Sequence, residues 1–367
     1  MVHVAENSRP YFVAWIALIV LFYLIAGYLA SSIMYEDRME SEARHQERID
    51  PNKTEKGKTA PDYKQLSNGQ HNHREVNVGI YVDRIETIST KETLWTVDFY
   101  LWFNWKGGGI RPGETFHIVD GEILSKELVN SSHDGDSHYE LYRVAARITK
   151  MFNITRYPLD NHQLTIRVEE SDEQWAQLQY VPDLEGTTYS SRVAVPGYRI
   201  HRSDLVNKPH AYKSSRGDPQ SPAADKTVYS QLTYALGIER PDWGLYFKMF
   251  QGLFAAVAIA LLAFLLAPAS GDRIGLGVGA FFAAVANSYI NLSELPGVGR
   301  VTLTDMVNGI GMITILLTIF SSIISSHLAE VKEEVKAARY FDRVSLVLFA
   351  VSFVVVNISI FLSAASS

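Results

Sequence analysis

The chain has no cysteine, which excludes a disulfide framework, a thiol nucleophile and a thiolate metal site. It also lacks a clustered excess of basic residues. Its 34 Lys and Arg stand against 40 Asp and Glu, for a formal net charge of −6, and such a surface does not neutralise a phosphate backbone. Nucleic acid is therefore not an expected partner. No G-x-S-x-G, phosphate-loop or H-E-x-x-H pattern occurs, so no enzyme chemistry and no cofactor are implied. Metal ligation is equally thin. His71 and His73 have no third ligand spaced to close a shell, and His133, Asp134, Asp136 and His138 surround an Asp-Gly pair, itself a hairpin-turn signal. No metal site is assigned.

What the chain does have is long uncharged apolar runs. Residues 11–34 contain 24 residues without a charge, enough at about 1.5 Å per residue to cross a hydrocarbon core of roughly 30 Å. A cleaved signal peptide is the competing reading, but only Arg9 precedes the run and no small-x-small site follows it. Residues 1–34 therefore read as a retained membrane helix. Residues 35–74 are polar, with mixed charges and Pro51, Gly57 and Pro61, and read as a linker, helical to about Ile49 and irregular beyond. Apolar runs return at 243–268, 274–292, 303–327 and 344–363, with a charged amphipathic segment at 328–343. Each run is long enough to span. Five crossings put the middle of the chain and its C-terminus on one outer side, with the short N-terminus inside.

Between them, residues 75–240 change period. Runs at 76–87, 94–105, 139–148, 164–169, 192–201 and 228–238 alternate apolar and polar and are rich in Val, Ile, Tyr, Thr and Trp. They are separated by Gly, Pro, Asp and Ser, the pattern of an all-β sandwich or barrel. The expected architecture is a multi-domain membrane protein: an N-terminal transmembrane helix, an all-β sandwich ectodomain, and a C-terminal four-helix transmembrane bundle over 241–367.

Two segments carry a resemblance. Residues 150–164 read KMFNITRYPLDNHQL, built around Tyr157-Pro158-Leu159-Asp160, and residues 270–296 read SGDRIGLGVGAFFAAVANSYINLSELP. The first matches the signature loop, and the second the pore-lining helix, of the pentameric ligand-gated ion channels, or Cys-loop receptors. Lys150 and Leu164 stand where animal members have their two cysteines, as in the prokaryotic-type branch. Arg240-Pro241 matches the family's arginine before the membrane. The resemblance covers roughly 76–362.

That resemblance implies a homopentamer in a membrane, with lipid around it and ions moving through it. On a helix, Gly275, Gly279, Phe282, Ala286, Tyr289 and Ser293 step by 4, 3, 4, 3 and 4 and share one stripe. In a ring of five helices the stripe faces the axis. Phe282 then forms an apolar girdle that stops ions by dewetting, and Asp272 at the inner mouth favours monovalent cations. Glycines at 275, 277 and 279 ask for close helix packing or for a wider inner pore. Asn287 and Asn291, off the stripe, read as glue between subunits.

The family brings Asp160 and Arg240 together at the domain junction, with Pro158, Glu92 and Pro296 beside them. The pair reads either as gating coupling or as a structural ion pair. Trp175, Tyr212 and Tyr229 are the candidate ligand contacts, with Trp175 open between core and ligand. Residues 107–139 depart from the family pattern. The implied function is a ligand-gated, or proton-gated, cation channel in a bacterial inner membrane, with the β region periplasmic and the agonist unspecified. The alternative is a non-conducting membrane receptor.

Overall fold

The computed structural model describes residues 9–61, 73–214, 227–240, 243–293 and 299–365, without the side chains of 9–11 and 290–293. Helix α1 is Arg9–Ile49, 41 residues. It is followed by strands β1 (Arg74–Ser89) and β2 (Leu94–Lys106), the short helix α2 (Pro112–Thr115), and β3 (His117–Ile118), β4 (Gly121–Asp134) and β5 (Ser137–Thr149). Next come β6 (Asn161–Gln174), β7 (Leu178–Pro182), β8 (Thr188–Tyr189), β9 (Arg199–Ala211) and β10 (Val228–Glu239). The chain closes with α3 (Trp243–Leu262), a 3-10 turn (Ala263–Leu265), α4 (Asp272–Ser293), α5 (Leu303–Glu330) and α6 (Val335–Ala364).

The chain divides into two compact units. One comprises Met1–Met39, Asn153–Asp160 and Asp242–Ser367, the other Glu40–Phe152 and Asn161–Pro241. An N-terminal apolar helix, a β-rich middle and C-terminal apolar helices are the frame of a membrane protein. Among the described residues four helices are long and apolar enough to cross a bilayer: Phe12–Ile49, Trp243–Leu265, Leu303–Glu330 and Val335–Ala364. The remaining expected span falls on α4, whose 22 residues include Asp272, Arg273 and Asn287.

In the β unit, one sheet runs β4-β5-β2-β1-β7 with β8 on β1, and the other runs β3-β6-β10-β9. Period-2 burial shows why β5 forms. Tyr142, Val144, Ala146 and Ile148 are buried, while Arg143 and Arg147 between them are exposed. Trp95, Phe99, Phe103, Ile166, Val168, Leu232 and Leu236 from both sheets share one buried cluster.

Two strand expectations need correction. The run at 192–201 does not form one strand, because the Pro196-Gly197 step, with Gly197 at φ +76°, turns the chain, and β9 starts only at Arg199. Residues 121–134, given no strand from sequence, form β4. This strand is exposed along nearly its whole length, so it carries no buried face to leave a periodic signal, and its pairing with β5 defines it.

Candidate functional site

In the helical unit, α4 is two-sided. Arg273, Gly277, Ala280 and Ala284 are buried, whereas Asp272, Gly275, Gly279, Phe282, Ala286 and Tyr289 are exposed. Phe282 and Tyr289 show 67% and 73% of their surface, so five of the six stripe positions lie on one uncovered face. The side chain of Ser293, like that of Asn291, lies outside the described residues, and so does Pro296. A β-carbon at Gly275 or Gly279 would meet nothing within 4 Å, but one at Gly277 would stand 2.4 Å from Ile319 Cγ1 on α5. The two explanations for these glycines thus divide between them: Gly277 allows close approach, and Gly275 and Gly279 line open space. A groove of about 690 Å³ runs past Ile259, Asp272, Gly275, Leu276, Gly279 and Ala283.

The charges at the head of α4 separate. Arg273 is turned inward, donating from Nη2 to Asp342 Oδ1 at 2.6 Å and from Nη1 to Ser325 Oγ at 3.1 Å. Asp272 stays exposed, within 3.4 Å of the Ser270 hydroxyl. Asn287 makes a contact within the chain, its Nδ2 donating to the Met249 carbonyl of α3 at 3.2 Å.

The segment Asn153–Asp160 belongs to the helical unit. The Leu303 N–H donates to the Thr155 carbonyl at 2.7 Å, and the Thr304 hydroxyl to the Tyr157 carbonyl at 3.2 Å. Thr302 caps α5 there, exchanging hydrogen bonds with Asp305 in a capping box. Arg156, 2% exposed, donates to Asp37 Oδ2 at 3.1 Å and to the Ala364 carbonyl at 3.0 Å. Asn153 donates to Asp37 Oδ1 at 2.9 Å. Pro158, after a cis peptide, and Asp160 are buried. Arg240 falls in the β unit, where its guanidinium lies 4.3 Å from the Tyr198 ring centroid and donates to the Tyr198 hydroxyl at 2.9 Å. Glu92 is exposed in the turn after β1, its N–H donating to Ser89 Oγ at 3.1 Å.

In the β unit, Tyr212 and Tyr229 come together, ring centroids 6.0 Å apart. Trp175 is half-buried outside the core cluster, its N–H donating to the Val228 carbonyl at 2.8 Å. Behind the tyrosines sits Glu169, fully buried. It accepts from Tyr212 Oη at 2.5 Å and Gln231 Nε2 at 2.8 Å, bonds His210 Nδ1, and lies 3.5 Å from His117 Nε2. Burial acts to raise its pKa, but the hydrogen bonds from His210 and Tyr212 outweigh this and hold it below the ordinary carboxylate value.

No family model matches the chain, and no curated protein matches it.

Four residues of these sites carry no mark in the sequence. Glu169 sits in an alternating strand like any solvent-facing carboxylate, and only the pairing of β6 with β10, and of β10 with β9, brings Gln231 and His210 to it. Asp37 and Arg156 are 119 positions apart, and Asp342 is 69 from Arg273. Asp342 lies in the charged stretch 328–343, beside Arg339 and Arg343, so nothing local sets it apart.

Proposed function

We propose that the chain is one subunit of a homopentameric, ligand-gated ion channel that conducts cations. In this reading the two sheets form a β-sandwich sensor, α3–α6 form a four-helix bundle, and α4 lines the pore. The observation that carries it is the uncovered face of α4. Exposed faces elsewhere in the helical unit suit lipid: Leu21, Leu24, Ile25 and Leu29 on α1, and Val347, Val351, Val354 and Leu362 on α6. The face of α4 instead offers Gly275, Gly279, Ala283 and Ala286 with two large aromatics, a surface suited to a narrow aqueous path with an apolar constriction at Phe282.

The charge arrangement supports cations. Arg273 is neutralised by Asp342 away from that face, so Asp272 supplies the charge at the mouth, repeated five times in a ring. We assign the ligand-sensing end to Tyr212, Tyr229 and Trp175 around Glu169, where a small molecule or a proton would rearrange the buried hydrogen bonds. Coupling runs through Asn153–Asp160 to α5, with Asp160 and Arg240 as its charged members. The β unit is assigned to the periplasmic side of a bacterial inner membrane.

Reconstitution in planar bilayers, scanning pH and small amines and acids, tests this. Gated current is expected, and Phe282→Ala should leave the channel open without agonist. Silence of both wild type and Phe282→Ala under every condition would instead favour a non-conducting receptor.

A further inference from the structure

Beyond Ile49, residues within 53–59 line a solvent-open cleft together with Arg167, Lys208 and Thr233 of the β unit. Its lining includes Arg48, Lys53, Lys58, Arg167 and Lys208 and one carboxylate, Glu55. Three of the cations converge on that carboxylate. Arg48 Nε bonds it directly, Lys58 Nζ lies at 2.9 Å and Arg167 Nη2 at 3.7 Å. Lys208 rests instead on main-chain oxygens at the end of α1, donating to the Glu47 carbonyl at 2.7 Å. Lys53 reaches Asp50 at 3.6 Å and is largely exposed. Arg167 is shared with Asp120 at 2.9 Å.

We propose that this cleft binds a small oxyanion, a phosphate or carboxylate group, and that Glu55 occupies part of the site as a built-in competitor. Guanidinium and ammonium groups brought this close repel one another, and Glu55, Asp50 and Asp120 offset only part of the charge of the five. An anion with two charged oxygens takes the positions Glu55 holds on Arg48 and Lys58 and reaches Lys208 as well, through short charge-assisted hydrogen bonds. Nearby Lys150 lies within the field of the same cations and of Glu55. Burial first, and then the charges of Arg48 and Arg167, push its ammonium down to about 7. The site is independent of the channel reading, and its readout is stability, not current.

The test is thermal unfolding of the purified full chain in neutral detergent at constant ionic strength. Inorganic phosphate or succinate should raise Tm by several degrees over chloride, because a ligand that binds only the folded state stabilises it by mass action. Nanodiscs with phosphatidic acid in place of phosphatidylcholine form a second arm, in which a rise without added anion identifies a lipid headgroup as the source. Glu55→Gln should lower Tm in chloride, recover it in phosphate, and move the midpoint of the phosphate effect to about tenfold lower concentration, the factor expected of one charge-assisted contact. Lys58→Gln with Lys208→Gln should abolish the effect. If that pair fails to fold, Lys53→Gln, at an exposed position, should weaken it. No rise over chloride in either arm, in wild type and Glu55→Gln alike, overturns the site. So does a rise that survives the lysine substitutions, and an unchanged midpoint in Glu55→Gln overturns the competitor role.

Discussion

Lys150 stands at the end of β5, its ammonium 5.4 Å from the Phe152 ring centroid and its main chain tied to Thr93. Burial and the guanidinium groups of Arg48 and Arg167 lower its pKa from 10.5 to about 7. Between these values the unfolded chain holds a proton that the folded chain does not, so stability increases with pH across that window and is flat below it. Lys150→Gln should remove the rise, worth on the order of 2–4 kcal/mol over the full window. Tm measured from neutral to alkaline pH in both proteins decides it, and an equal rise in the variant refutes the assignment. Glu169 behaves in the opposite sense. Its pKa is held low, so its contribution is present above the ordinary carboxylate range and is lost as pH falls through its folded value. Composition gave no hint of either residue, because each looks like a surface charge until its neighbours are placed.

At the scale of elements, the segment Asn153–Asp160 is gripped by three helices. Asp37 of α1 holds Asn153 and Arg156, the start of α5 holds Thr155 and Tyr157, and the Ala364 carbonyl of α6 takes the other arm of Arg156. Helix α1 is thus joined to the segment as well as to the bundle, where Tyr23 bonds Thr314 at 2.8 Å and Trp15 Nε1 donates to Ser321 at 3.0 Å. Replacing one partner of a largely buried pair removes a charged contact from the other. Asp37→Asn should therefore lower stability by about 3 kcal/mol, and Asp37→Leu with Arg156→Met should recover much of that loss. Thermal unfolding of Asp37→Asn, Asp37→Leu, Arg156→Met and the double variant separates the outcomes, and an additive double variant would remove the coupling between α1 and the segment.

For the whole molecule, the proposed selectivity would follow from which charge faces the open side of α4. With Arg273 buried against Asp342, Asp272 is left as the exposed charge at that end. In a salt gradient, Asp272→Asn is expected to shift the reversal potential toward zero, reducing preference for cations, and an unchanged potential would remove Asp272 from the selectivity assignment. Conduction and selectivity are properties of an assembly. In the proposed ring of copies the uncovered stripe of α4 would face the axis.

The sequence by itself determined the membrane-crossing runs, the β-rich middle and the helical stripe from Gly275 to Tyr289. Each depends on local periodicity or on the length of an apolar run, and these are fixed by covalent order and the geometry of helix and strand. Only the tertiary structure decided which glycine packs and which lines open space, that Asn287 bonds α3, that Arg273 turns away from Asp272, that Glu169 is buried, and that Asp37 and Glu55 are half-buried among partners. Those outcomes depend on contacts between residues far apart in the chain. A charged side chain has the same identity whether it is solvated or enclosed, and enclosure, by removing water, is what gives it a role.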